Sequence, residues 1–204
     1  MPISRRGVST AAAMLAFPAQ AQPARPTPAK PRSSPPPSPD ATPLTPADGQ
    51  ILQRLLEGAP YVSQGQGRVL YARMSARCGY CQLFFRDYPN GLPGVELRYL
   101  LFPAKGASSR STLQVMRDRS MKTFESYMRS RAGEDSRPLD NDADIDLMNA
   151  LIRYTQAVNT LMQRQSPPQL TGTPTWFFEH NGKLYSDMGY DRAMFAAFHR
   201  AFVA

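Results

Sequence analysis

The chain has 204 residues, 20 of them proline, and a formal net charge of +8. That is room for one ordinary domain with appendages, not for two large ones. No Lys/Arg run is interleaved with aromatic residues, which argues against a nucleic-acid partner. The surplus positive charge reads as a basic soluble surface, or as attraction to anionic lipid or an acidic partner.

The first 21 residues read as a secretory signal peptide. Arg5 and Arg6 form a positive start, Val8 to Phe17 an Ala-rich apolar run, and Ala19-Gln20-Ala21 a small-x-small cleavage pattern. An apolar run of about ten residues is too short to span a bilayer, so no transmembrane segment is expected. Ser4-Arg5-Arg6 weakly resembles a twin-arginine signal, and the export route stays open. Residues 22–46 carry ten prolines and read as an extended or disordered tether, passive or a docking ligand.

Order is expected from Thr45. Thr45 can cap a helix, Pro46 suits its first turn, and Ile51, Leu52, Leu55 and Leu56 mark one face, giving a short linker helix over 47–58. The catalytic domain is expected over 59–204. Arg68 to Met74 reads as a strand, Ser75-Ala76-Arg77 as a turn, and Gln82 to Asp87 as part of a helix. Gly94 interrupts the chain before a second strand, Val95 to Phe102.

A helix is predicted over Ser108 to Arg131, a polar acidic loop over 133–144, and another helix over Asp144 to Gln165, ended by Pro167-Pro168. The methionines on these helices read as core filler. Thr175 to Phe178 and Lys183 to Met188 flank Asn181-Gly182, a strong hairpin signal. Asp191 caps a final helix with Met194, Phe195, Phe198 and Phe202 inward. The order implies an α/β fold with a mixed sheet, because the hairpin must be antiparallel.

Two cysteines in 204 residues do not make a disulfide scaffold. They stand three apart, as Cys78-Gly79-Tyr80-Cys81, and so short a loop gains little stability by closing. Their value is expected to be chemical. Cys78 falls where a strand ends and a helix begins, and a helix N-terminus favours a thiolate. Arg77 adds positive charge next to it. Cys78 is therefore expected to be the exposed, low-pKa nucleophile, and Cys81, one turn on, the buried resolving thiol. A zinc site and an inert short-loop disulfide are the competing readings. A structural zinc site needs about four ligands, and besides the cysteines only His180 and His199 remain, far from finger spacing, so no metal and no cofactor are expected. Pro174 stands at the start of a strand and, by base rates alone, reads as trans.

Several of these segments resemble the catalytic domain of the periplasmic disulfide isomerases DsbC and DsbG. Cys78-Gly79-Tyr80-Cys81 has the four residues of the DsbC active site. Arg98-Tyr99-Leu100-Leu101-Phe102-Pro103-Ala104-Lys105-Gly106 is similar to the strand and turn after the active-site helix. Gly172-Thr173-Pro174 is similar to the cis-proline loop, and Gly189 to the glycine after the hairpin. The resemblance runs from about Gly58 to Val203.

It implies a thioredoxin fold with a helical insertion over about 108–166, and a cis Pro174 packed on the cysteine pair. Thr173 would offer backbone groups to an extended client, Gly79 and Tyr80 would tune the site, and Tyr80, Trp176 and Met188 would line an apolar groove. Implied partners are unfolded or misoxidised exported proteins and a membrane electron donor of the DsbD type, in the periplasm. The family's N-terminal dimerisation domain and second disulfide have no counterpart, so a monomer is expected. The direction of catalysis stays open between reductase or isomerase and oxidase. A client-binding accessory role in an exported assembly is the reading from another class.

Overall fold

Five successive residues of the strand Arg68–Met74 are buried, Leu70 through Met74. A strand buried on both faces needs a covering layer on each. The computed structural model of the chain supplies both layers. It describes residues 38–101, 110–130, 141–166, 168–169 and 171–204. The expected signal peptide, the tether up to residue 37, the turn over 102–109 and most of the acidic loop lie outside the described residues.

The elements in chain order are β1 (Thr42–Pro43), α1 (Pro46–Gly58), β2 (Val62–Gly65), β3 (Arg68–Met74), α2 (Gly79–Asp87), β4 (Val95–Leu101), α3 (Arg110–Asp118), α4 (Met121–Ser130), α5 (Asp142–Gln163), β5 (Thr175–His180), β6 (Lys183–Met188) and α6 (Arg192–Val203). They form one sheet of order β1-β6-β5-β3-β4-β2. β3 and β4 are parallel because α2 carries the chain back between them; the other pairings are antiparallel. The unit β3–α2–β4 followed by β5–β6–α6 is the thioredoxin fold, with α3, α4 and α5 inserted between its halves.

Side chains alternate across the sheet and divide the core in two. Leu70, Ala72, Met74, Trp176 and Phe178 pack with Phe84, Phe124 and Phe198 on one side. Tyr71, Leu100 and Phe177 pack with Leu52, Leu56, Val158 and Leu161 on the other. α1 is therefore no linker. Leu52 and Leu56 are fully buried, so the helix is a structural layer over one face of the sheet. Thr45 caps it, and Asp48 accepts from Gln165 at the end of α5.

The single helix expected over Ser108 to Arg131 is two. Arg119 adopts a left-handed φ of 47°, which ends α3, and Ser120 Oγ accepts from the Thr123 N–H to start α4. α5 begins at Asp142 rather than Asp144, and Asn141 caps it, accepting from the Asp144 N–H at 2.8 Å. Asn181 and Gly182 have φ of 51° and 70°, as a two-residue hairpin turn with two left-handed positions requires. Gly67, at φ 129°, admits no side chain: a Cβ there would lie 2.1 Å from the Gly94 carbonyl oxygen. This close approach lets β2 turn into β3.

Candidate functional site

β3 ends at Met74 and α2 starts at Gly79, so the intervening turn places Cys78 at the N-cap of α2. The turn is fixed by its own backbone: the Cys78 N–H donates to the Ser75 carbonyl at 3.1 Å, and the Arg77 N–H to Ser75 Oγ at 3.3 Å. Gln82 reaches back from α2 to donate to the Ala76 carbonyl. Cys78 is half-buried and Cys81 is completely buried.

Two hydrogen bonds meet at Cys78 Sγ. It accepts from the Cys81 N–H at 3.4 Å and donates to the Thr173 carbonyl at 3.0 Å. The first is the N-cap interaction itself, made by sulfur in place of the usual side-chain oxygen. Cys81 behaves differently. Burial in the apolar core pushes its thiol well above the ordinary range. The pair is thus unequal: one sulfur reachable from solvent, the other a buried thiol that holds its proton.

The Thr173–Pro174 peptide is cis, correcting the trans reading made from base rates and matching what the family resemblance implied. The loop is braced on its far side, where the Gly189 N–H donates to the Pro174 carbonyl at 2.9 Å and the Trp176 indole N–H to the Gly189 carbonyl at 2.7 Å. Thr175 Oγ1 donates to the Gly172 carbonyl at 2.8 Å. Thr173 and Pro174 are therefore brought to the cysteines across 95 residues of sequence.

Arg77, Gly79 and Tyr80 are all exposed around Cys78, and Tyr80 is 59 % exposed. Tyr80 separates two clefts. One, of about 530 Å³, is lined by Tyr80, Trp176 and Met188 together with Tyr190 and Met194. It brings together the three residues expected to form an apolar groove. The other, of about 830 Å³, runs between α2 and α4.

Two features of the site had no sequence signal. Tyr127, from α4, accepts from the Ala76 N–H at 3.4 Å and from Thr112 Oγ1 at 3.3 Å, which ties the inserted helices to the active-site turn. Asp87, the last residue of α2, accepts from Tyr190 at 2.7 Å and from Arg192 Nε at 2.9 Å. Arg192 and then Tyr190 hold its carboxyl far below the usual carboxylate range. A depressed pKa gives stability that is present above the unfolded value of 3.8 and lost as pH falls toward the folded one. Asp87→Asn should therefore flatten the acid limb of the stability curve below about pH 4. Thermal melts of both proteins from about pH 5 to about pH 2 test this, and parallel curves would rule it out.

Among the described residues, no three His, Cys, Asp or Glu side chains gather as a metal site. His199 contacts the Pro93 carbonyl at 2.8 Å, and the His180 ring meets that of Tyr185. No helix among the described residues is long and apolar enough to cross a membrane.

The chain matches no protein-family profile and no curated protein. Among solved structures it is similar to the catalytic domain of Proteus mirabilis ScsC, at 14 % identity over 77 % of this chain and 97 % of that one, with a TM-score of 0.48. It is similar to the thiol-disulfide exchange protein alpha-DsbA2 from Wolbachia pipientis, at 12 % identity over 76 % and 94 % of the two chains, with a TM-score of 0.45. A periplasmic thioredoxin-like protein from Salmonella enterica serovar Typhimurium gives 12 % identity, 76 % and 97 % coverage and a TM-score of 0.44.

Proposed function

We propose that the chain is a thiol–disulfide oxidoreductase of exported proteins, with Cys78 as nucleophile and Cys81 as resolving thiol. One observation carries the reading: a half-exposed Cys78 Sγ sits between the Cys81 N–H and the Thr173 carbonyl, over a buried partner thiol three residues on.

The chemistry follows from that inequality. The Cys78 thiolate attacks one sulfur of a client disulfide. The client S–S bond breaks, its other sulfur leaves as a thiolate, and a Cys78–client disulfide forms. Cys81 then loses its proton to the departing sulfur or to water and attacks Cys78 Sγ. The Cys78–Cys81 disulfide forms, the second client thiol leaves, and two electrons have passed from the protein to the client. Run backwards, the same steps oxidise a client. Release without resolution by Cys81, through attack of another client thiol, isomerises one.

Within this class the reading is a reductase or isomerase of the DsbC/DsbG kind, acting in the periplasm after cleavage of residues 1–21. It works as a monomer, re-reduced by a membrane donor of the DsbD type. The four residues of the CGYC motif and the Thr173-Pro174 loop support it. In this role Thr173 pairs its backbone with an extended client segment, a form of strand addition. Trapping thiols with a maleimide in intact cells tests the direction. Cys78 labelled at steady state, with the donor present, is the expected result. A pair found wholly as the Cys78–Cys81 disulfide would make the protein an oxidase instead.

A further inference from the structure

The cleft between α2 and α4 lies directly beside the nucleophile, since Gly79 and Tyr80 form part of its wall. Its floor is apolar, from Leu83, Phe85 and Met128, and among the described residues its charged lining residues are Arg86 and Arg129. The cleft on the other side of Tyr80 has the opposite polarity: among the described residues its charged lining residues are Asp40, Asp187 and Asp191. A client segment crossing Cys78 therefore meets a basic cleft on one side and an acidic one on the other.

Given the oxidoreductase reading above, on which this inference rests, we propose that the α2–α4 cleft selects clients. It would take segments in which an apolar side chain beside the reactive cysteine is flanked by acidic residues. The apolar residue fills the floor with Tyr80 and Leu83, which are 59 % and 36 % exposed. The acidic residues meet the two guanidinium groups at the rim. Guanidinium suits this task because its planar fork matches a carboxylate.

Both arginines are placed for it. The Arg86 side chain is 70 % exposed, and its nearest carboxylate, Asp87 at 3.6 Å, already accepts from Tyr190 and Arg192. Arg129 is exposed in the last turn of α4. A volume of about 830 Å³ is within the range of small-ligand sites, enough for a few side chains rather than a folded surface. The net charge, +8 for the whole chain and +6 without Arg5 and Arg6 of residues 1–21, draws acidic segments toward the molecule and speeds encounter. The carboxylates of the opposite cleft repel the same segment laid in the wrong orientation.

Binding can be read without thiol chemistry. Three fluorescein-labelled heptapeptides, identical except that a central Leu is flanked by two Glu, two Gln or two Lys, and with serine in place of cysteine, are titrated into the intact chain. Anisotropy should rank them Glu, Gln, Lys, with Glu and Lys separated by about tenfold in Kd at low salt and converging at about 0.5 M salt. The paired variant Arg86→Glu, Arg129→Glu should invert the order, and Arg86→Gln, Arg129→Gln should erase it. Thermal melts check that both variants fold. Equal affinities, no measurable binding by any peptide, or a Glu preference that survives charge reversal would each overturn the proposal. Because the peptides hold no cysteine, such a failure leaves the oxidoreductase reading standing. A failure of disulfide exchange would show instead in the cysteine variants.

Discussion

Cys78→Ser should reduce disulfide exchange to the uncatalysed rate, while Cys81→Ser should complete the first step and stall. The asymmetry comes from burial. Cys78 is the sulfur a client can reach, and a serine hydroxyl there is too weak a nucleophile to open a disulfide. Cys81 is fully buried and is asked only to attack Cys78 Sγ, one helical turn away. Without it the Cys78–client disulfide is released only by another client thiol, so with a client that has no further thiol mixed disulfides should accumulate on Cys78. Non-reducing electrophoresis with mass mapping of the adduct reads both outcomes. Exchange that survives Cys78→Ser would sink the enzyme reading and favour a client-binding module. Adducts forming on Cys81 in the Cys78→Ser protein would reverse the two roles.

This pair was legible in the sequence because its determinants are local. A strand-like run, a three-residue turn and a helical pattern fix the N-cap position without help from the rest of the chain. The Asn181-Gly182 hairpin was legible for the same reason, since two left-handed residues in succession admit few sequences. Elements whose meaning depends on distant partners were not. β2 is Val-Ser-Gln-Gly with only Val62 buried, so its pattern is polar, and its existence rests on pairing with β4. α1 shows four apolar residues, but Ile51 is 39 % exposed, and its role as a layer comes from β6 and α5. Arg73 reads as an interruption in an apolar strand. It is 2 % exposed and satisfied in part by Asn159, 86 residues later.

The site divides in the same way. Cys78, Cys81 and the turn before them follow from neighbours in sequence. The approach of the Pro174 loop to the cysteines does not, and it was expected only through the resemblance of Gly172-Thr173-Pro174 to a known loop; the Cys78–Thr173 hydrogen bond was not foreseen. Tyr127 against the Ala76 N–H had no route at all, because it depends on how the inserted helices settle on the turn. The break at Arg119 was hidden by apolar spacing that fits one long helix nearly as well as two.

The second large effect is expected at Phe84, which couples the active-site helix to the loop that faces it. Phe84 is fully buried, and its ring meets Trp176 at 4.8 Å, Phe195 at 5.1 Å, Tyr88 at 5.3 Å and Tyr190 at 5.5 Å between centroids. The contacts with Trp176, Phe195 and Tyr190 are edge-on, the arrangement the ring quadrupoles favour. Phe84→Ala removes the hub and leaves a cavity, so a loss of about 3–5 kcal/mol in unfolding free energy is expected. For a domain stable by about 5–15 kcal/mol that is a large fraction, and denaturant titration would show it as an earlier midpoint. Phe84→Leu keeps most of the volume and should recover much of the loss.

The effect should reach the chemistry as well. Trp176 holds the Gly189 carbonyl, and Gly189 holds the Pro174 carbonyl, so loosening Trp176 loosens the loop whose Thr173 carbonyl meets Cys78. Under conditions where Phe84→Ala is still folded, its rate of mixed-disulfide formation should fall while Phe84→Leu stays near the parent. A stability loss below about 1 kcal/mol would show that the aromatic cluster tolerates a void at its centre. An unchanged exchange rate in the folded variant would show that the loop is held by its hydrogen bonds alone. In either case α2 would owe its position over the sheet to something other than Phe84.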